Sequence, residues 1–243
     1  MHNAGGVFYL TCSMKIFSSG LLMLFWCISG FAQPGTPARI SSVQVFKESV
    51  QADPLKQMDD LKKTVPGILL DLRYATKSNF TGKKLYPWAK TTYMRTAAAK
   101  ALLGIQQSLN RKGYGLKVFD AYRPWSATNK MWELVKDERY VANPAKGSNH
   151  NRGLAIDLTL VQWPSGSELD MGTGFDNFTD TAHHNFTRLS QNILNNRKLL
   201  KETMEQQGFK SFESEWWHYT WPDNRGYEVL DIPLKKLWAV NRQ

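Results

Sequence analysis

Hydrophobic residues recur with two different periods along the chain, and these periods predict helices and strands. Between residues 93 and 111, Ala, Leu and Ile recur at helical spacing, and glycines follow the run, which predicts a helix with a glycine exit. Residues 187–207 predict a second long helix. A third helix is expected from Pro124 to about Lys136, because proline favours the first turn of a helix.

Alternation of hydrophobic and polar residues predicts the strands, at 67–74, 116–122, 154–161, 209–214 and 216–221. The Gly-rich, polar and aromatic stretch 162–186 is long enough to be a functional loop. Helices flank the strands without βαβ regularity. We therefore predict an α+β fold, a single compact domain whose mostly antiparallel central sheet is flanked by helices.

The N-terminal region has the pattern of a secretory signal peptide. Lys15 precedes an apolar run from Leu21 to Phe31, and Ala32 ends a small-x-small cleavage site. An uncleaved membrane anchor is the alternative, but the run of about ten residues is shorter than the roughly 20 that a spanning helix needs. We expect a leader over 1–32, with Met14 the better candidate start. Export to the periplasm or envelope of a bacterium follows, with no stable membrane span after cleavage.

Polar residues and several prolines dominate the segment after this leader. We expect residues 33–65 to form an irregular N-terminal arm or linker. The main domain is then expected over residues 66–243.

Composition and charge narrow the classes of partner. The chain is 42% hydrophobic and 21% charged, as in ordinary globular proteins, and its formal net charge is +10. Lys and Arg are scattered in short pairs, so we expect no nucleic-acid partner. The charge indicates either anionic envelope material, such as cell-wall polymer or lipid headgroups, or only a solvated surface.

Cysteine usage limits the chemistry further. Both cysteines, Cys12 and Cys27, lie in the expected leader. The mature chain therefore has no disulfide, no cysteine nucleophile and no cysteine-ligated metal. Any catalytic metal has to be held by His, Asp or Glu.

Histidine and acidic residues are concentrated in two polar motifs, at 148–157 and 215–218. Two histidines and one aspartate make a suitable nitrogen and oxygen shell for zinc, with a fourth position for water. Glu215 can then act as general base. Because positions i and i+3 of a strand face opposite ways, Glu215 and His218 converge only if a turn or bulge intervenes. His150 must likewise precede its strand, whereas Asp157 lies on it.

These motifs resemble those of a known family. Residues 148–157 are similar to the S-x-H-x-x-G-x-A-x-D motif of the LAS-type zinc peptidases, and residues 215–218 to their E-x-x-H motif. Four further blocks resemble the D-alanyl-D-alanine dipeptidase family, peptidase family M15, at 72–76, 79–82, 120–124 and 171–176. The resemblance covers roughly residues 66–233 and implies the LAS/Hedgehog-like zinc peptidase fold.

The resemblance implies a role for each matching residue at the metal. One zinc ion per chain is held by His150, Asp157 and His218. Glu215 is the base that takes a proton from zinc-bound water and later gives it to the leaving amine. Arg123 polarises the scissile carbonyl and stabilises the oxyanion, a role that suits a permanently charged guanidinium.

Three further positions match those that hold the free amino group of the substrate, namely Tyr74, Ser148 and Asp176. An ammonium in a closed pocket needs a counter-charge, which Asp176 can supply. A loop-capping role is the alternative for Asp176. His183 and His184 match a family pair of histidines, but we expect neither to be a ligand.

The activity implied is zinc-dependent hydrolysis of the small dipeptide D-Ala-D-Ala to two D-alanines. A D,D-carboxypeptidase or cell-wall peptide endopeptidase with the same zinc chemistry is the alternative. A cell-wall binding module that has lost catalysis is disfavoured, because the ligands, Glu215 and Arg123 are all present.

Overall fold

The structure is a computed structural model that describes residues 38–87 and 89–240. The expected leader over residues 1–32 lies outside the described residues. The strands are β1 (Arg39–Ile40), β2 (Met58–Asp60), β3 (Leu69–Leu70), β4 (Tyr93–Arg95), β5 (Tyr114–Asp120), β6 (Ala155–Gln162), β7 (Lys210–Phe212), β8 (Glu215–Thr220) and β9 (Val229–Leu230). The helices are α1 (Val43–Ala52), α2 (Leu61–Thr64), α3 (Thr96–Asn110), α4 (Trp125–Val135), α5 (Asn149–Arg152), α6 (Gln191–Gln206) and α7 (Leu234–Val240).

A five-stranded sheet in the order β3-β5-β6-β8-β7 forms the centre of the fold. Strand β3 pairs with β5 in parallel, and the other neighbouring strands of this sheet are antiparallel. Two small sheets accompany it, antiparallel β2–β4 and parallel β1–β9. The predicted α+β class with a mostly antiparallel central sheet is therefore confirmed.

Two hydrophobic clusters hold the layers together. In the first, α3 and α6 bury residues such as Leu102 and Leu200 against the sheet. In the second, the segment before residue 65 packs with α4 and the chain after β9, through side chains that include Phe46, Met131 and Leu237. Burial of apolar surface at about 25 cal/mol per Å² makes these clusters the main source of stability.

The segment expected as an irregular arm differs most from the sequence prediction. Helix α1 begins after Ser42, whose hydroxyl accepts a hydrogen bond from the Val45 N–H, and its Phe46 is buried. Its inward residues Val43, Phe46 and Val50 recur at helical spacing. The expectation of irregular structure was wrong here, because the neighbouring prolines obscured this short pattern.

Several predicted elements keep their type but change their ends. The helix predicted from residue 93 begins at Thr96, because Tyr93–Arg95 pair with β2 as strand β4. The strand predicted over 67–74 is only Leu69–Leu70, and a 3-10 turn over Arg73–Ala75 follows. Among residues 38–87 and 89–240, no helix has the length and apolar character that crossing a membrane requires.

Replacement of Gly147 by Ala is expected to destabilise the protein strongly. Gly147 has φ +68°, and an added Cβ would lie 2.5 Å from Cγ2 of buried Val229. Val229 is β-branched and cannot swing away. The left-handed backbone and the overpacking together should lower the free energy of unfolding by about 3 kcal/mol, measured by urea denaturation.

Gly82 provides the matched control. Its φ is +64°, but no atom lies within 4 Å of an added Cβ. Gly82→Ala should therefore show only the backbone cost, about 1 kcal/mol. Equal losses in the two variants would contradict the proposed contact with Val229.

Candidate metal centre and active site

The register of the three central strands places polar side chains side by side on the sheet. Asp120 of β5 pairs with Asp157 of β6, and Asp157 pairs in turn with His218 of β8. Directly paired residues of antiparallel strands point to the same face. A register shift between Val118 and Asp120 accompanies this arrangement, as expected of a bulge that re-aims a side chain beside a site.

His150 comes from a single helical turn in front of β6. Ser148 caps α5, with its hydroxyl accepting from the His150 N–H at 3.2 Å. The Asn151 side chain accepts from the Ser148 N–H and donates to the Arg123 carbonyl, each at 2.8–2.9 Å. Thus His150 precedes its strand, as the sequence required, and its helix is tied to the loop that carries Arg123.

The structure brings the three predicted ligands together. His150 Nε2 lies 3.3 Å from His218 Nδ1 and 3.4 Å from Asp157 Oδ2, and His218 Nδ1 lies 2.9 Å from Asp157 Oδ1. Ligands about 2.1 Å from a tetrahedral ion lie about 3.4 Å apart, so the donor set and its spacing fit zinc. Among the described residues no other group of three such side chains converges.

The second hydrogen bonds of the histidines support this arrangement. His150 Nδ1 lies 2.8 Å from the Ala121 carbonyl, so this nitrogen donates and Nε2 keeps its lone pair towards the cluster. Burial would raise the pKa of Asp157, but its close contacts with His150 and His218 hold that pKa well below its usual range. The carboxylate is therefore ionised and available to a cation.

Glu215 stands at the edge of this cluster, with Oε2 3.8 Å from His218 Nδ1. The pairing of β7 with β8 shifts register between Ser211 and Phe212, and Phe212 is the residue opposite Glu215. This irregularity is the kind of bulge that the i, i+3 spacing required. Enclosure in the protein raises the pKa of Glu215 to about 7, against the opposing charge of His218. A carboxylate in that range can both accept and return a proton near neutral pH.

Arg123 is buried and held by two aspartates. Its Nε donates to Asp120 Oδ2 at 2.8 Å, and its Nη2 lies 3.7 Å from Asp157 Oδ2. Burial opposes its charge, but Asp120, together with Tyr74 and Asp157, raises the pKa of Arg123 above its ordinary value. The guanidinium is thus fixed and permanently charged beside the candidate metal ligands.

Sequence reasoning missed Asp120 and Tyr86 as parts of the site. Asp120 is fully buried, accepts from the Tyr86 hydroxyl at 2.8 Å, and has Oδ2 3.5 Å from His150 Nδ1. Its place in the Asp-Ala-Tyr-Arg-Pro block was a usable signal for Asp120. Tyr86 lies in an irregular segment and offered none.

Tyr74 and Asp176, two of the residues predicted to hold the amino group of a substrate, lie in contact. The Tyr74 hydroxyl donates to both carboxylate oxygens of Asp176, at 2.9 and 3.2 Å. Asp176 has φ +59°, a conformation that non-glycine residues rarely adopt. Enclosure and the negative charge of Asp157 raise the pKa of Asp176 to about 8. A cation placed beside this carboxyl group would restore its ionised form.

All the predicted site residues line one cleft of roughly 310 Å³, at the small end of ligand pockets. They are Tyr74, Arg123, Ser148, His150, Asp157, Asp176, Glu215 and His218. The structure gives Ser148 a helix-capping role, and its side chain also faces the cleft. His183 and His184, which were not expected to be ligands, lie outside this cleft.

Comparison with known proteins gives the class of this chain, a zinc metallopeptidase. The chain belongs to the D-Ala-D-Ala dipeptidase family, peptidase family M15, whose model matches residues 55–234. It is 37% identical over 177 residues to the D-alanyl-D-alanine dipeptidase of Escherichia coli K12, covering 72% of this chain and 89% of the relative. The D-alanyl-D-alanine dipeptidase of Enterococcus faecium is 35% identical over 195 residues, covering 72% and 96%.

Solved structures are more distant. A zinc complex of the vancomycin-resistance D,D-pentapeptidase VanY is 15% identical, with a TM-score of 0.36, and the match covers 64% of this chain and 82% of that one. The LD-carboxypeptidase LdcB is 22% identical, with a TM-score of 0.34 and coverage of 62% and 64%.

Loss of one candidate ligand should abolish tight metal binding. His150→Ala removes one of three converging donors, so zinc affinity should fall by more than about 100-fold. Loss of a residue that only hydrogen-bonds to a metal ligand usually has a smaller effect. Competition with a chromophoric chelator measures the affinity. His183→Ala, a change outside the cleft, is the control and should bind one zinc ion like the unaltered protein. Equal affinity in both variants would contradict the site.

Loss of the Asp120 charge should destabilise the fold. Asp120→Asn keeps the shape but leaves buried Arg123 with only the more distant Asp157, so the free energy of unfolding should fall by about 3 kcal/mol.

The control for this change is Asp137→Asn, because Asp137 pairs with Arg139, whose side chain is 76% exposed. An exposed pair contributes less than about 1 kcal/mol. Urea denaturation compares the two variants, and losses of similar size would show that burial of the Asp120 pair is unimportant.

Proposed function

We propose that this protein is a zinc-dependent dipeptidase that hydrolyses D-Ala-D-Ala to two D-alanines. The observation that supports the proposal most is the joint presence, in one small cleft, of the His150, Asp157 and His218 cluster and the enclosed acid Asp176. Two relatives that bear this activity in their names match the chain over most of their length.

One zinc ion per chain is proposed, held by His150, Asp157 and His218. The two nitrogen and one oxygen donors, and their mutual spacing, fit a catalytic zinc shell with an open fourth position. Zinc in such a shell acts as a Lewis acid towards water and the scissile carbonyl.

Glu215 is proposed as the general base and acid. Its carboxylate takes a proton from the attacking water, whose oxygen bonds to the carbonyl carbon. The same group then delivers that proton to the nitrogen of the breaking peptide bond, so that an amine leaves. A pKa of about 7 suits both transfers, because neither protonation state is too stable to react.

Arg123 is proposed to stabilise the negative charge that develops on the carbonyl oxygen. Asp120 holds its Nε, so the outer nitrogen atoms are the ones that face the cleft. A fixed donor needs no reorganisation when charge appears, which is the source of such stabilisation.

Asp176 and Tyr74 are proposed to hold the free ammonium group of the substrate, with Ser148 lining the same cleft. The ammonium compensates a carboxylate that is otherwise costly to ionise. A longer peptide, whose amine has become an amide, lacks this charge and is disfavoured. Preference for a free dipeptide follows.

We also propose export to the periplasm or envelope. The pattern over residues 1–32, with Lys15, an apolar run and Ala32, supports this location, and so does the absence of cysteine after residue 32.

The decisive experiment is hydrolysis by zinc-loaded protein of three substrates, namely D-Ala-D-Ala, its N-acetylated form and a stem pentapeptide. The free dipeptide should be cleaved best. Glu215→Gln should lower kcat by at least about 100-fold, because proton transfer is lost. Asp176→Asn should lower kcat/KM for the free dipeptide roughly 30-fold or more, because a charge pair is lost.

The N-acetylated dipeptide is the control for Asp176→Asn, since it carries no ammonium and its hydrolysis should change little. Preference of the unaltered protein for the blocked or longer substrates would instead indicate a D,D-carboxypeptidase or endopeptidase. Zinc binding without any hydrolysis would refute the enzymatic proposal.

A further inference from the structure

Phe175 lies behind the proposed ammonium pocket, which is formed by Tyr74 and Asp176, and its ring contacts three other aromatic rings. Its ring centroid is 5.0 Å from that of Phe119, in a stacked arrangement, and 5.7 Å from that of Tyr74. It is 5.6 Å from Trp217 in an edge-to-face arrangement. Among the described residues, Phe175 is the one aromatic side chain that packs against both hydrophobic clusters without belonging to either.

Each of these three rings is next to a group of the site. Tyr74 donates its hydroxyl to Asp176, and its ring lies 4.7 Å from the Arg123 guanidinium carbon. Phe119 immediately precedes Asp120 at the register shift of β5. Trp217 immediately precedes His218 on β8. One side chain therefore touches the three elements that carry the ammonium pocket, the arginine and the metal cluster.

Asp176, the residue that follows Phe175, has an unusual backbone conformation. Asp176 is in the left-handed region, which persists only where the surroundings impose it. On the N-terminal side the loop is held by Trp216 Nε1, which donates to Thr173 Oγ1 at 2.7 Å. Of the two residues between Thr173 and Asp176, Phe175 is the one with a large side chain, and its ring packs against both hydrophobic clusters.

Space is available behind the loop. Phe175, Phe119 and Thr173 line a second cavity of roughly 500 Å³, to which none of the candidate metal ligands contributes. A shortened side chain at 175 would give the loop room to move towards that cavity, because the packing contacts of the ring would be lost. Such a shift moves Asp176, whose carboxylate is the adjacent group.

We propose that Phe175 is a positioning residue that sets the ammonium anchor, holding Asp176 in its left-handed conformation against Tyr74. The inference rests on the proposed dipeptidase function. It adds a residue outside the cleft that determines the preference for a substrate with a free amino terminus. Phe175 does not line the cleft, so its effect on substrate binding passes through Asp176 and Tyr74.

The test compares Phe175→Leu with Phe209→Leu. Phe209 is 2% exposed, packs edge-to-face on Trp221 and does not line the cleft, so its substitution removes a similar ring elsewhere in the core. Phe175→Leu should raise KM for D-Ala-D-Ala about tenfold with kcat within about threefold, as expected when ground-state binding is lost. Phe209→Leu should lower Tm and leave both constants unchanged. Equal kinetic effects of the two variants would overturn the inference.

A double-mutant cycle shows whether the effect passes through Asp176. In an Asp176→Asn background, Phe175→Leu should change KM by less than about twofold, because coupled residues are not additive. Independent, multiplying effects would contradict the proposed positioning role.

Crystal structures of the zinc-loaded protein and of Phe175→Leu give a readout that does not need activity. The inference predicts that in the variant Asp176 leaves the left-handed region or loses its hydrogen bond to Tyr74. An unchanged Asp176 would overturn it. Failure of the unaltered protein to cleave D-Ala-D-Ala would instead refute the proposed function, while these structures would still decide the role of Phe175.

Discussion

Negative charge enclosed within one cleft is the constraint on which the rest of this structure depends. Asp120 and Asp157 are buried, and Asp176 and Glu215 are enclosed nearby, whereas Arg123 is the guanidinium that contacts the first two. Carboxylates removed from water are costly unless they are paired, protonated or bound to a cation. Asp120 is paired with Arg123, and Asp157 contacts two histidines with which it can hold a metal ion. Asp176 and Glu215 instead have raised pKa values.

The sheet supplies the precision that this arrangement needs. Side-by-side pairing of β5, β6 and β8 fixes Asp120, Asp157 and His218 on one face without any loop. The less regular parts, α5 and the register shift between β7 and β8, then bring His150 and Glu215 to the edges of that row. Groups on strands have little freedom to separate, so the spacing of the cluster is built into the hydrogen bonds of the sheet.

Whether a residue's role could be predicted from the sequence depends on how far apart in the chain its interacting partners lie. The candidate ligands and Glu215 lie in two short motifs that can be recognised locally in the sequence. The long helices were predicted from the helical spacing of their apolar residues. Asp120, Tyr86 and Phe175 were not recognised as important, because their roles come from contacts between segments far apart in the chain. Helix α1 was missed because neighbouring prolines obscured its short apolar face, which packs in the second hydrophobic cluster.

The small parallel sheet of β1 and β9 has a consequence for when the cleft can exist. Its two strands lie near opposite ends of the described chain, so their pairing closes one of the longest loops among the described residues, at a large cost in chain entropy. Val229 of β9 also packs against Gly147, next to the cap of the helix that bears His150. A nascent chain, or one clipped before β9, therefore lacks the support that Val229 gives to Gly147, a residue that lines the cleft. Strand β9 has to be synthesised before the site is fully supported.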